Sequence, residues 1–152
     1  MRISLKVVIC GVVLAAMVGV AVAGFAKPED AIHYRKAVMT VLGHHFGSLA
    51  AVIKGKAAYD KKDVEHNAMV IHTMAELPWE AFMAPGSDMG DTTLKALAMK
   101  EKDKFMAVAQ RLENATQKLS ETAQNGDLEA VKAQFGAVVK VCKECHSTYR
   151  KK

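Results

Sequence analysis

Apolar side chains recur at helical spacing through most of the chain beyond residue 28, and no segment alternates with the period of two that strands require. The steps between them alternate between three and four residues, which is typical of a helix that buries one face. Four such segments are separated by three breaks. The sequence therefore predicts an all-α protein, and four amphipathic helices joined by mostly short turns pack most simply as an antiparallel up-down-up-down four-helix bundle.

The helix boundaries follow from capping residues and breakers. We expect the four helices to run from Pro28 to about Lys54, from an N-cap at Asp63 to Glu76, from Leu94 after the capping run Asp91-Thr92-Thr93 to Asn125, and from an N-cap at Asp127 to about Tyr149. The connection from Leu77 to Gly90 holds prolines, glycines and aromatic residues, so we expect it to fold over the bundle.

The first 23 residues have the pattern of a secretory signal peptide. Arg2 and Lys6 precede an apolar run from Val7 to Val22, and Ala21-Val22-Ala23 supplies the small residues that a signal peptidase accepts. The alternative, an uncleaved anchor, is disfavoured because the run is shorter than the ~20 residues that a spanning helix needs. We therefore expect cleavage before Gly24, export to the periplasm, and a mature domain of residues 24–152 with no membrane segment.

Removal of this segment changes the composition from which function is argued. The whole chain has 152 residues, a net charge of +5 and three cysteines. Cleavage removes two basic residues, no acidic residue and Cys10, so the mature domain has a charge of +3 and two cysteines. So small a charge, spread over scattered lysines, does not indicate a nucleic-acid partner.

The two remaining cysteines lie in the run Cys142-Lys143-Glu144-Cys145-His146, on the apolar face of the last helix. Thiols at i and i+3 can reach the two vinyl groups at one edge of a porphyrin, while the adjacent imidazole binds the iron from below. Zinc would need two further convergent ligands, and a dithiol redox pair favours the start of a helix rather than its end. The motif therefore predicts one covalently attached haem c, with His146 as an iron ligand.

Polar and sulfur-containing residues on the first helix extend this site. Arg35 breaks an otherwise apolar stripe, so it either pairs with haem propionates or extends its charged end into water. Lys36 and Asp91 are expected at the same edge of the haem, and Arg150 one turn after His146. Met39 follows Arg35 by one turn and can face the iron from the side opposite His146, but its position alone leaves open whether its sulfur binds the metal or packs in the core.

The mature chain resembles the cytochrome c′ family over essentially its whole length. The resemblance rests on Phe25–Asp30 with Tyr34-Arg35, on Lys54-Gly55 with Tyr59-Asp60, on Leu77-Pro78-Trp79, and on the haem motif close to the C-terminus. It implies that Cys142 and Cys145 hold the haem, that His146 is the proximal ligand, and that Met39 occupies a distal position that generally does not ligate. It also implies haem-edge positions for Arg35, Lys36 and Asp91, a proximal-side position for Arg150, and a homodimer formed through the first two helices.

Three functions are compatible with these residues. The leading hypothesis is a haem protein with five-coordinate, high-spin iron that binds nitric oxide or carbon monoxide in an apolar pocket around Met39, Phe46 and Phe82, with electron transfer as a broader role. The alternative is a low-spin electron carrier in which His146 and Met39 both bind iron. A peroxidase-like enzyme is disfavoured, because no histidine or carboxylate lies beside Met39 on its stripe to accept a proton. The sequence does not identify a redox partner.

Overall fold

The computed structural model describes residues 24–152, and the predicted signal peptide, residues 1–23, lies outside them. Its helices are α1 (Pro28–Ile53), α2 (Lys61–Glu76), α3 (Trp79–Phe82), α4 (Leu97–Lys100), α5 (Lys102–Asn125) and α6 (Leu128–Tyr149). The four long helices, α1, α2, α5 and α6, match the four predicted ones. The predicted all-α, four-helix bundle is therefore confirmed.

The bundle is assembled by packing between helices that follow one another. α2 packs against both α1 and α5, and α5 packs along α6. α1 and α6 meet through stacked rings of Phe46 and Phe135, whose centroids are 4.3 Å apart. Elsewhere a cavity lies between α1 and α6. The two helices that carry the predicted site residues therefore face each other across an open space in the bundle.

α1 begins where the sequence predicts. Pro28 occupies the first turn, where its missing N–H costs nothing, and Glu29 and Asp30 lie at the positive end of the helix dipole. Among the described helices, α1 is the one that is long and apolar enough to meet the length and composition criteria for a membrane span. In its apolar 18-residue stretch, 17% of the residues are buried. A bundle helix with an apolar outer face satisfies the same criteria.

The start of the second helix differs slightly from the prediction. Asp60, rather than Asp63, is the N-cap of α2, and its Oδ1 accepts a hydrogen bond of 3.0 Å from the backbone N–H of Asp63. Both aspartates suit an N-terminus, so composition alone does not distinguish them. At the fourth long helix, Asp127 is the N-cap as predicted, and its Oδ1 accepts from the N–H of Ala130 at 2.8 Å.

The third long helix was predicted to begin at Leu94, and this prediction is wrong. The backbone of residues 93–95 instead pairs with the C-terminal segment: Lys95 N–H donates to the Tyr149 carbonyl at 2.8 Å, and Lys151 N–H donates to the Thr93 carbonyl at 2.7 Å. The Thr93 carbonyl, which would accept the first intrahelical bond of a helix capped at Thr93, therefore accepts from Lys151 instead. A single turn, α4, follows, and the non-helical backbone of Glu101 separates it from α5. Leu97, at the start of this turn, is 37% exposed.

The connection between α2 and α4 folds over the bundle, as predicted. Trp79, Ala81, Ser87 and Leu94 are all buried. The ring of Trp79 packs within 5.8 Å of Phe82 and 6.1 Å of Phe105, centroid to centroid. The connection therefore forms a fixed wall at one end of the cavity between α1 and α6.

Candidate functional site

The cavity between α1 and α6 has a volume of about 760 Å³, which lies within the range of small-molecule and cofactor pockets. Its walls come from α1, from the connection around residues 79–94, from α5 and from α6. Eight of the nine predicted site residues line it: Arg35, Lys36, Met39, Phe82, Cys142, Cys145, His146 and Arg150. Residues separated by more than a hundred positions in the sequence are thus brought into one site.

The two thiols lie one helical turn apart on α6 and are half-buried against the cavity. Burial raises the pKa of Cys142, and burial together with the nearby Cys142 raises the pKa of Cys145 to about 11. Both side chains are therefore neutral thiols at pH 7, whereas dithiol exchange needs a thiolate. Within residues 24–152, moreover, no group of three or more histidine, cysteine, aspartate and glutamate side chains is arranged to hold a metal ion.

His146 lies on α6 directly after Cys145, with its imidazole at the mouth of the cavity. Burial, and then the positive charge of Arg150, lower the pKa of the imidazole below its ordinary value. The ring is therefore neutral at pH 7, which is the protonation state that binds a metal. Arg150 itself is held by the backbone, because it pairs with Leu94 in an isolated antiparallel bridge.

Arg35 is buried, with 3% of its surface exposed, and its guanidinium fastens the connection to α1. It donates hydrogen bonds to the Ala81 carbonyl, to both Oγ and the carbonyl of Ser87, and to Thr92 Oγ1. Its Cζ also lies 5.0 Å from the ring centroid of Phe82. Arg35 therefore holds one end of the cavity in place and does not extend its charged end into water.

Lys36 and Asp91 form an ion pair at the rim of the site, with Nζ 2.7 Å from Oδ2. The hydrogen bond from Lys36 holds the pKa of Asp91 below its ordinary value. Lys36 lines the cavity, whereas Asp91 is exposed and is not among the lining residues. Asp91 thus does not line the cavity itself but holds Lys36, which does.

The rest of the cavity is apolar and aromatic. Met39, Phe46 and Phe82, half-buried, face it together with the buried rings of Trp79 and Phe105. The indole Nε1 of Trp79 is buried without a hydrogen-bond partner. An unpaired buried donor is costly, so this group is suited to meet a polar atom of a bound molecule.

Sequence reasoning missed Trp79, Thr92 and Ser87 as parts of this site. Trp79 was predicted to lie in the connection, with nothing to relate it to α6. Ser87 has no sequence signal beyond its place after Gly86, because its contact with Arg35 spans 52 residues.

These features test whether a porphyrin fits. Two neutral thiols on one face of a helix, an adjacent neutral imidazole, an apolar cavity of sufficient volume and an unpaired indole donor all match the chemistry of a covalently attached haem. The fold and the site together define a c-type haem protein built on a four-helix bundle.

Comparison with known proteins identifies the family. The family model described as Cytochrome C' matches residues 30–150. The chain is 41% identical over 128 residues to cytochrome c' of Alcaligenes xylosoxydans xylosoxydans, covering 84% of this chain and 98% of the relative. It is 36% identical over 129 residues to cytochrome c' of Rubrivivax gelatinosus, covering 84% and 99%.

Solved structures agree with this comparison. Cytochrome c prime from Shewanella frigidimarina superimposes with a TM-score of 0.82 at 32% identity, covering 85% of this chain and all of that one. A nitric oxide complex of a variant of cytochrome c prime from Alcaligenes xylosoxidans superimposes with a TM-score of 0.77 at 41% identity, covering 84% and 98%. The chain belongs to the cytochrome c′ family, and its cofactor is haem c.

Proposed function

We propose that this protein binds nitric oxide and carbon monoxide at a five-coordinate haem. In this proposal Cys142 and Cys145 hold the porphyrin through thioether bonds, His146 is the proximal iron ligand, and Met39 lies on the distal side without binding the iron. When bound, the haem supplies an iron centre with one open coordination position, and the residues of the chain decide what can reach it.

The composition of the cavity wall is the observation that carries this proposal. The distal side is formed by Met39, Phe46 and Phe82, which offer no hydrogen-bond donor to a bound gas. Such a pocket admits small uncharged diatomic molecules and gives dioxygen no polar stabilisation. Two solved structures of one relative support the same chemistry, because variants of Alcaligenes xylosoxidans cytochrome c prime are bound to nitric oxide in one and to carbon monoxide in the other.

A peroxidase-like activity receives no support from the site. Turnover of a peroxide needs a distal base to accept a proton. None of the residues that line the cavity is a carboxylate, and the sole histidine among them is His146, which belongs to the proximal side. We therefore infer that the protein is a gas-binding haem protein, with electron transfer as a further role, rather than an enzyme.

A low-spin electron carrier is the second candidate, and one observation favours it. Met39 lines the cavity from α1, opposite the α6 wall that carries His146, so its thioether has access to the distal side. Binding of that sulfur to the iron would close the open position and favour electron transfer. Replacing Met39 therefore distinguishes the two candidates.

Location and assembly belong to the same proposal. We infer export to the periplasm, because residues 1–23 have the signal-peptide pattern and because covalent attachment retains a cofactor outside the cytoplasm. We also infer a homodimer through α1 and α2, on whose outer faces Val41 and Met69 are 41% and 49% exposed. Both side chains are large and apolar, and a second copy of the chain can bury them.

The test is an optical titration of the reduced holoprotein with nitric oxide and carbon monoxide. We expect both gases to bind to the wild type, and we expect Met39→Ala to bind them at least as fast, since the substitution removes bulk from the distal wall. Met99→Ala, which shortens a half-buried methionine outside the cavity, is the matched control. If the wild type binds neither gas and Met39→Ala acquires binding, the electron-carrier candidate is correct instead.

A further inference from the structure

We propose that gases enter and leave the distal side of the cavity through a port at Gly43, an inference that rests on the proposed gas-binding function. Gly43 lies on α1 and lines the cavity between α1 and α6. It is also exposed to solvent. A residue that borders both the cavity and the solvent lies at an opening in the wall, and a glycine has no side chain to close that opening.

The space that a side chain would occupy at Gly43 is empty. Apart from its chain neighbours and the nearby backbone of the helix itself, no heavy atom lies within 4 Å of the position that a Cβ would take. The other α1 residues that line the cavity all carry side chains: Arg35, Lys36, Met39, Thr40, Leu42 and Phe46. Gly43 is therefore the one gap in the α1 wall of the cavity.

The polar groups at the two other exposed positions of this wall, Lys36 and Thr40, already have partners. Lys36 is held by Asp91, with Nζ 2.7 Å from Oδ2. The hydroxyl of Thr40 donates to the Lys36 carbonyl at 2.8 Å, within the helix. The α1 rim of the port thus offers neither a free charge nor a free hydrogen-bond donor. Such a rim favours small uncharged molecules, because an ion would lose water there without gaining a partner.

The port lies next to the closed end of the cavity, where the rings of Phe46 and Phe135 stack. Gly43 lies one turn before Phe46 on α1. Val139 lies one turn after Phe135 on α6 and also lines the cavity. Because α1 and α6 run in opposite directions, Gly43 and Val139 face each other on the cavity side of the stacked rings. The missing side chain therefore leaves a gap between the two helices.

The proposed homodimer leaves the port uncovered. Its interface was inferred from exposed apolar residues on the outer faces of α1 and α2, among them Val41. Val41 precedes Gly43 by two positions, and residues two apart lie about 160° from each other round a helix. The port and the proposed interface are therefore on opposite faces of α1.

Flash photolysis of the carbon monoxide complex of the reduced holoprotein tests the port, because it measures the association rate. Displacement of carbon monoxide by nitric oxide gives the dissociation rate. Gly43→Leu places a side chain in the opening, and we expect both rates to fall at least about tenfold, since entry and exit then require that side chain to move. The dissociation constant should stay within about twofold of the wild-type value, because the gas enters and leaves by the same opening. A substitution that merely disturbs the bound state would change the dissociation constant.

Gly47→Leu is the matched control. Gly47 lies one turn further along α1, is exposed, and has open space at its Cβ position, but it does not line the cavity. This variant should bind carbon monoxide at the wild-type rates. Thermal unfolding should show that both variants are folded, since each replaces a helical glycine with a better helix former.

Three results would overturn the port: equal rates in Gly43→Leu and Gly47→Leu, a change in only one of the two rates of Gly43→Leu, or a Gly43→Leu protein that takes up no haem. Failure of the proposed function looks different, because the wild type itself would then bind no carbon monoxide, and the port would be refuted with it.

Discussion

At the scale of single residues, the buried guanidinium of Arg35 fastens the connection to α1. Its place on an apolar stripe left two alternatives, a pairing with haem propionates or a charged end in water, and the side chain is buried. Its partners in the described structure are Ala81, Ser87 and Thr92, which lie 46 to 57 positions along the chain. Contacts over such separations depend on how the connection folds back, and local patterns carry no information about that.

Replacing Arg35 should therefore destabilise the whole domain. In Arg35→Gln, the carbonyls of Ala81 and Ser87 lose their charged donor while remaining buried, and we expect a loss of about 2–4 kcal/mol in the free energy of unfolding. Chemical denaturation of the holoprotein measures this. Lys36→Gln, at the neighbouring but exposed position, should change the stability by less than about 0.5 kcal/mol. Equal effects of the two substitutions would show that the guanidinium does not fasten the connection.

At the scale of elements, the four long helices and the C-terminal haem motif were predictable because their signals are local. Apolar spacing, Pro28 at the start of α1 and Asp127 before α6 all act within a few residues. The late start of α5, at Lys102 rather than at Leu94, was not predictable. The backbone of residues 93–95 pairs with the C-terminal segment instead, and local propensity does not encode those bonds.

Two glycines in different surroundings provide a prediction at this scale, one in the connection and one in α6. Gly86 has a φ of +78°, and a Cβ there would lie 3.3 Å from Cγ of Pro28. Gly136 lies in α6, with open space where a Cβ would stand. Gly86→Ala should therefore lower the free energy of unfolding by at least about 1 kcal/mol, whereas Gly136→Ala should raise it by about 0.5–1 kcal/mol. Thermal unfolding gives the sign of each change, and equal signs would contradict this account.

At the scale of the whole molecule, ion pairs between helices make stability depend on pH. Arg111 on α5 forms a two-pronged pair with Glu144 on α6, and its hydrogen bonds hold the pKa of Glu144 below the ordinary value. The carboxylate is thus easier to ionise in the folded protein than in the unfolded chain. This contribution is present above the unfolded pKa of about 4.3 and is lost as the pH falls through the lower, folded value.

Arg111→Gln should therefore lower the midpoint of thermal unfolding at pH 7 and have a smaller effect at pH 3. Both partners are about half exposed, so the effect is modest at either pH. Lys118→Gln, an exposed position on the same helix, controls for the loss of a positive charge. If Arg111→Gln lowers the midpoint of thermal unfolding equally at pH 3 and at pH 7, the pair contributes no pH dependence to the stability.

The proposed homodimer also belongs to this scale. Val41→Glu places a charge on the outer face of α1, and we expect it to convert a dimer into monomers in sedimentation experiments. Ala133→Glu adds the same charge to an exposed position of α6 and should leave the dimer intact. A wild-type protein that sediments as a monomer would refute an interface through α1 and α2.

The central claim is that the distal side of the haem is open, with Met39 packed beside it. The absorption spectrum of the purified ferric protein at pH 7 tests this claim most directly, because it reports the spin state and coordination of the iron. We predict the spectrum of a five-coordinate, high-spin haem with His146 as its axial ligand. A purely low-spin spectrum with a methionine charge-transfer band would contradict the claim and make Met39 the sixth ligand.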